Sequence, residues 1–170
     1  MKQLRPSAML AWFTLLFTIP VSSQLQEPSP PVNLIIVSDM AIDVDDVGDH
    51  AVMWGLANRG EVNVLAMIAS SANDYTAPTM HVIASYYGHP DVPIGANKGS
   101  TPNINGSATS VYTQQIASQF GTPGDTRFNY PDALPVLRQA LANAADNSVY
   151  IVDNGYYVQL RDLPPGWSGG

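Results

Sequence analysis

An apolar run, Leu34-Ile35-Ile36-Val37, passes directly into Ser38-Asp39-Met40-Ala41-Ile42-Asp43-Val44-Asp45-Asp46-Val47-Gly48-Asp49, so five aspartates fall between positions 39 and 49. The run is β-branched and has no polar alternation, which predicts a strand buried on both faces of a parallel sheet. Side chains directly after such a strand stand where open α/β sheets receive ligands, at the carboxyl ends of the strands. Acids this close repel one another, and out of water they need a cation or protons. A hard divalent ion with oxygen ligands, Ca²⁺ or Mg²⁺, meets that need most simply. The competing reading is that Asp45, Asp46 and Asp49 decorate the first turn of the following helix. An EF-hand starting at Asp43 is excluded, because its fifth position would be Val47 and its twelfth Trp54. A phosphatase-type Asp-x-Asp is excluded by Ala41.

The remaining chain alternates in kind. Residues 47–59 carry apolar side chains at helical spacing, with Gly60 as terminator. Residues 62–68 read as a second strand, leading into the small polar loop Ala69-Ser70-Ser71-Ala72-Asn73-Asp74. Residues 78–87 read as a helix ended by Gly88-His89-Pro90, and Val92-Pro93-Ile94-Gly95 as a third strand. A polar, Gly- and Asn-rich loop occupies 96–107, a short helix 111–120, and a second loop 121–130. A helix over 132–145, with Pro135 in its first turn, and a strand over 148–152 followed by a helical turn to Leu160 complete the pattern. Strands alternating with helices predict an α/β fold, an open and mostly parallel sheet with flanking helices.

The formal charge is −7, and removing residues 1–23, which hold Lys2 and Arg5 and no acid, makes it −9. That balance disfavours nucleic acid and anionic membranes as partners. The absence of cysteine excludes disulfides, thiolate-bound zinc and thiol catalysis. Residues 1–23 have the form of a secretory signal. Lys2 and Arg5 precede an apolar core, Met9 to Ile19, too short to span a bilayer, and Val21-Ser22-Ser23 offers small residues for cleavage. An uncleaved anchor is the alternative. Residues 24–32 form a Pro-rich linker, 33–162 the domain and 163–170 an irregular tail. Asn105-Gly106-Ser107 is a glycosylation sequon, so the expected location is extracellular, with no membrane attachment in the mature form.

The segment from Ser38 to Asp46 between strand and helix resembles the aspartate signature of the nucleoside hydrolases of the inosine/uridine-preferring type. Many of these read Asp-Thr-Asp-Ile-Gly-Thr-Asp-Ile-Asp-Asp at this place. Asp39 matches the second aspartate, Asp43 the third, and Asp45 and Asp46 the final pair, while Val37 falls at the first. Shifting the register so that Asp39 matches the first aspartate would put Ala41 at the position of the base. Residues 64–68 with Asn73 look like the family's second strand and substrate-binding Asn. Residues 148–160 with Gly155 resemble its later strand and Gly-x-x-Thr-Asn segment, here with Val158 and Gln159.

The resemblance implies a Rossmann-like nucleoside hydrolase fold, truncated to its N-terminal half. It further implies Ca²⁺ held by Asp39, Asp46 and the Val158 backbone carbonyl, Asp39 as the base, and Asp45 and Asn73 on sugar hydroxyls. Asp43 is a further candidate. For Asp45 and Asn73, a capping Asp and a turn Asn are the local alternatives. The implied activity is hydrolysis of the N-glycosidic bond of a small nucleoside. A non-catalytic metal- or ribose-binding fragment and a glycosidase for another sugar are the competing expectations. His50, His81 and His89 read as surface or packing residues. A half sheet exposes an edge and an apolar face, so association with a partner chain or a second copy is expected.

Overall fold

The computed structural model describes residues 29–41, 43–100, 102 and 111–164. The expected signal segment, most of the linker and the Asn105 sequon lie outside them. Among the described residues four strands form one sheet: β1 (Val32–Ser38), β2 (Val62–Ala69), β3 (Ile94–Ala96) and β4 (Val149–Asp153). All neighbouring pairs are parallel and the order is β3-β2-β1-β4. The helices are α1 (Asp45–Asn58), α2 (Thr76–Tyr86), α3 (Val111–Phe120), α4 (Ala133–Ala142) and α5 (Val158–Arg161). The α/β architecture expected from the alternation is therefore the one observed.

The pleat of β1 sorts the core into two layers. Ile36 and Met40 face α1 and α2, packing with Met53, Trp54, Met67 and Met80. Ile35 and Val37 face α4, packing with Ala66, Ile68, Ala133 and Leu137. A Cβ on Gly95 would lie 2.7 Å from the Ala133 Cα, so the lack of a side chain there lets α4 rest directly on β3. The chain steps outward from β1 through β2 to β3, then returns across the sheet through α4 to β4 on the far side of β1. Helices α1 and α2 cover one face and α4 the other, as right-handed crossovers require once the direction of stepping reverses. This reversal makes a switch point between β1 and β4, with a crevice at their carboxyl ends.

Several boundaries differ from the sequence reading; α1 and α2 each begin two residues earlier than expected, at Asp45 and Thr76. The third strand begins at Ile94, two residues later than expected, since Pro93 has no N–H and contributes only its carbonyl, which accepts the Met67 N–H at 2.9 Å. Helix α4 ends at Ala142, three residues early, and begins after Asp132, whose side chain caps the Leu134 N–H at 3.3 Å. The expected loop at 121–130 contains a 3₁₀ turn, Arg127–Asn129, closed by the Asn129 side chain on the Thr126 N–H at 2.9 Å. On β4, Tyr150 and Val152 remain 66% and 43% exposed, so the outer strand presents apolar side chains on the α1 side.

Candidate metal centre

The acidic block leaves β1 at the switch point. Ser38, the last residue of β1, is fully buried, and its hydroxyl donates to Asp46 Oδ1 at 2.8 Å. That bond draws the first turn of α1 over the strand end. Asp45 and Asp46 form this turn behind an N-cap, Val44, that offers no side-chain cap, and Asp45 Oδ1 accepts the Asp46 N–H at 3.0 Å, so one acid serves the first turn without exhausting the cluster. Asp43, Asp45 and Asp46 can each present an oxygen such that the three lie within 4.8 Å of one another. Asp43 and Asp45 are exposed and Asp46 is buried. Three convergent carboxylates can hold a metal ion, and an all-oxygen set suits a hard cation.

Asp39 stands beside this triad rather than within it. Burial pushes its pKa up, its own backbone N–H opposes, and the charges of Asp43, Asp45 and Asp153 push it further. Asp46 is pushed to about 7, first by burial and then by Asp39, Asp45 and Asp43, against the Ser38 hydroxyl bond. The acids thus share one electrostatic environment.

Asp153 enters through topology. It pairs with Val37 across the β1–β4 ladder, which sets it alongside the strand end that carries Asp39. One of its carboxylate oxygens accepts the Gly155 N–H at 2.9 Å, and the other is buried with no hydrogen bond among the described residues. A Cβ on Gly155 would lie 2.5 Å from Ser70 Oγ and 2.8 Å from the Asp39 nitrogen, so the loop after β4 seats against β1 only because this residue is glycine. Ser70, after β2, ties the edge together. Its N–H donates to the Ser38 carbonyl, its hydroxyl accepts the Tyr156 N–H at 3.0 Å, and its carbonyl accepts Asn97 Nδ2 at 2.8 Å. The buried Arg127 links the outer loops, donating to Asp74 Oδ1 at 2.9 Å and to the carbonyls of Asn97 and Gly99 at 2.8 and 2.7 Å.

Comparison of the chain with protein-family models and with curated proteins gave no match.

The structure brings Asp39, Asp43, Asp45 and Asp46 to one sheet end, and Asn73 lies in the loop after β2 at that same end. Asn73 is buried, and its Oδ1 accepts the Tyr75 N–H at 2.8 Å, the turn-forming role open to any Asn in such a loop. Val158 opens α5, where its carbonyl accepts the Asp162 N–H at 3.2 Å. The histidines pack. His50 is fully buried with neither ring nitrogen bonded among the described residues, and burial pulls its pKa down to about 4 against the pull of Asp49. His89 stacks on Trp54 at 4.5 Å, and His81 meets Tyr130 edge-on at 6.2 Å. Sequence reasoning missed Asp153, although an acid ending an apolar strand is the same signal that marks Asp39.

Proposed function

We propose that the chain is a secreted nucleoside hydrolase-like protein that cleaves the N-glycosidic bond of a small (ribo)nucleoside with calcium at the acidic cluster. One observation carries this reading: the Asp43, Asp45 and Asp46 oxygens converge within 4.8 Å, with Asp39 beside them, at the switch point of a parallel sheet. Calcium bound there would orient water and sugar hydroxyls and lower the pKa of the water. Asp39 is the base in this reading. Its raised pKa gives it a greater proton affinity than a free aspartate, which suits removal of a proton from the attacking water. Asp46, fixed by Ser38, anchors the metal side, and the exposed Asp45 would accept from a sugar hydroxyl through the oxygen that does not take the Asp46 N–H. Breaking the bond builds positive charge on the sugar carbon, which the surrounding carboxylates stabilise.

Secretion belongs to the same proposal, supported by the basic and apolar order of residues 1–23. Association with a partner chain or second copy is supported by the bare apolar positions Tyr150 and Val152 on β4. The test is release of free base from inosine and uridine, with and without chelator, comparing wild type with Asp39→Ala. Chelator-sensitive turnover, reduced about 10²- to 10⁴-fold in the variant, is expected. Equal turnover in the variant rules the mechanism out.

A non-catalytic calcium- or ribose-binding role is the second reading. It is supported by the Asp43, Asp45 and Asp46 oxygens, which can hold a metal ion whether or not turnover follows. Calcium stabilisation without turnover on nucleosides or other glycosides would select it.

A further inference from the structure

The two edges of the sheet are built differently. Strand β3 has three residues and follows Pro93; its Ala96 N–H already donates to the Pro131 carbonyl at 2.9 Å, and Ala96 is bridged to Asp132. Short length, proline and a covering segment are devices that keep a sheet edge from pairing with another chain. Among the described residues, β4 has none of them. It runs five residues, Val-Tyr-Ile-Val-Asp, with no proline, no basic residue and no register shift against β1. The Asn154 N–H donates to the Val37 carbonyl at 3.1 Å, and backbone groups alternate sides along a strand. The backbones of Tyr150 and Val152 therefore bond to β1. Val149, Ile151 and Asp153 turn their N–H and C=O groups to the other side, where no described strand pairs with them.

That outer side is self-complementary. When a second β4 is laid antiparallel about a two-fold axis through Ile151, the two Ile151 residues exchange both bonds. Val149 of each copy does the same with Asp153 of the other. Every outward backbone group of β4 is then paired. The side chains agree with the backbone. Tyr150 falls opposite Val152, an aromatic and β-branched pair, on the face where these residues stand 66% and 43% exposed. The apolar groove between β4 and α1, lined by Leu34, Met53, Leu56 and the exposed Val52, continues that face. Asp153 falls opposite Val149, so the one charge of the strand does not meet its like. We propose that β4 is a homodimer interface, and that its partner is a second copy of this chain, paired antiparallel through Ile151 so that two four-stranded sheets become one. The proposal rests on the association part of the functional reading above and on none of its chemistry.

The experiment uses the full chain, which has no cysteine. Tyr150→Cys and Val152→Cys are purified separately, then oxidised alone and after mixing and exchange. In the proposed register the two positions face each other at about 4.5 Å between Cα atoms, within disulfide reach, whereas each lies about 7–8 Å from its own counterpart. A disulfide-linked dimer is expected in the mixture and in neither sample alone. Sedimentation across a concentration series is expected to show a monomer–dimer equilibrium in wild type. Ile151→Pro removes an outward N–H and no bond to β1, and should weaken the dimer about 10- to 100-fold. Val152→Lys, a charge on the exposed face, should weaken it too and stands in if the proline variant loses its circular dichroism. A dimer that links in no sample, or equally in all three, or that the substitutions leave unchanged, overturns the proposal and leaves association standing. A wild type that stays monomeric throughout overturns the proposal together with self-association.

Discussion

Asp46 is 2% exposed, and its pKa rises from 3.8 to about 7 in the folded chain. Between those values the folded state keeps a proton that the unfolded state has lost, so stability falls as pH rises through the window and levels off above it. The whole interval corresponds to about 4 kcal/mol at about 1.4 kcal/mol per pH unit, and relaxation of water and neighbouring acids leaves about 2 kcal/mol. Asp39, also raised, adds in the same sense. His50 acts oppositely. Its pKa drops from 6.5 to about 4, so the unfolded chain protonates first and stability falls as pH drops through that window. In the overlap the two slopes oppose, and the metal-free wild type should show a shallow profile there, declining towards pH 7. Asp46→Asn keeps an oxygen for the Ser38 hydroxyl and removes the ionisation. Its metal-free stability should climb as pH rises from about 4 to 6.5, and should exceed wild type by about 2 kcal/mol above pH 7. Urea denaturation in chelator across this range measures both chains. A variant less stable than wild type above pH 7, or a difference that does not change with pH, would refute the reasoning.

Gly155→Ala places a Cβ 2.5 Å from Ser70 Oγ, 2.8 Å from the Asp39 nitrogen and 3.0 Å from the Ser38 carbonyl carbon, and the two backbone atoms cannot rotate away. A loss of about 2–3 kcal/mol is expected, and unchanged thermal melting would contradict the close seating of the β4 loop. Arg127→Met keeps the stem and removes the guanidinium that joins Asp74 to the carbonyls of Asn97 and Gly99. It should cost about 2–3 kcal/mol by urea denaturation, and a cost under about 0.5 kcal/mol would show that these bonds contribute little.

Local pattern made β1, α1, β2 and α2 legible, because each carries its own period or terminator in consecutive residues. The acidic block was legible for the same reason: strand and carboxylates are contiguous. What the sequence hid is set by contacts between distant residues. Nothing near Val149 says that β4 pairs with β1 rather than β3, yet that pairing puts Asp153 opposite Val37 and into the field of Asp39. His50 looks like a helix-surface residue beside Asp49, but α1 turns that stripe inward, with Asp46, His50 and Trp54 all buried. Val158 could be placed near the site by resemblance, whereas its bond to Asp162 depends on α5 forming.

Calorimetric titration of calcium into the metal-free protein at pH 7.5, wild type against Asp46→Asn, bears most directly on the acidic cluster. The account predicts a single saturable site in wild type and its loss in the variant. No heat of binding to wild type, or the same isotherm for both chains, would contradict it.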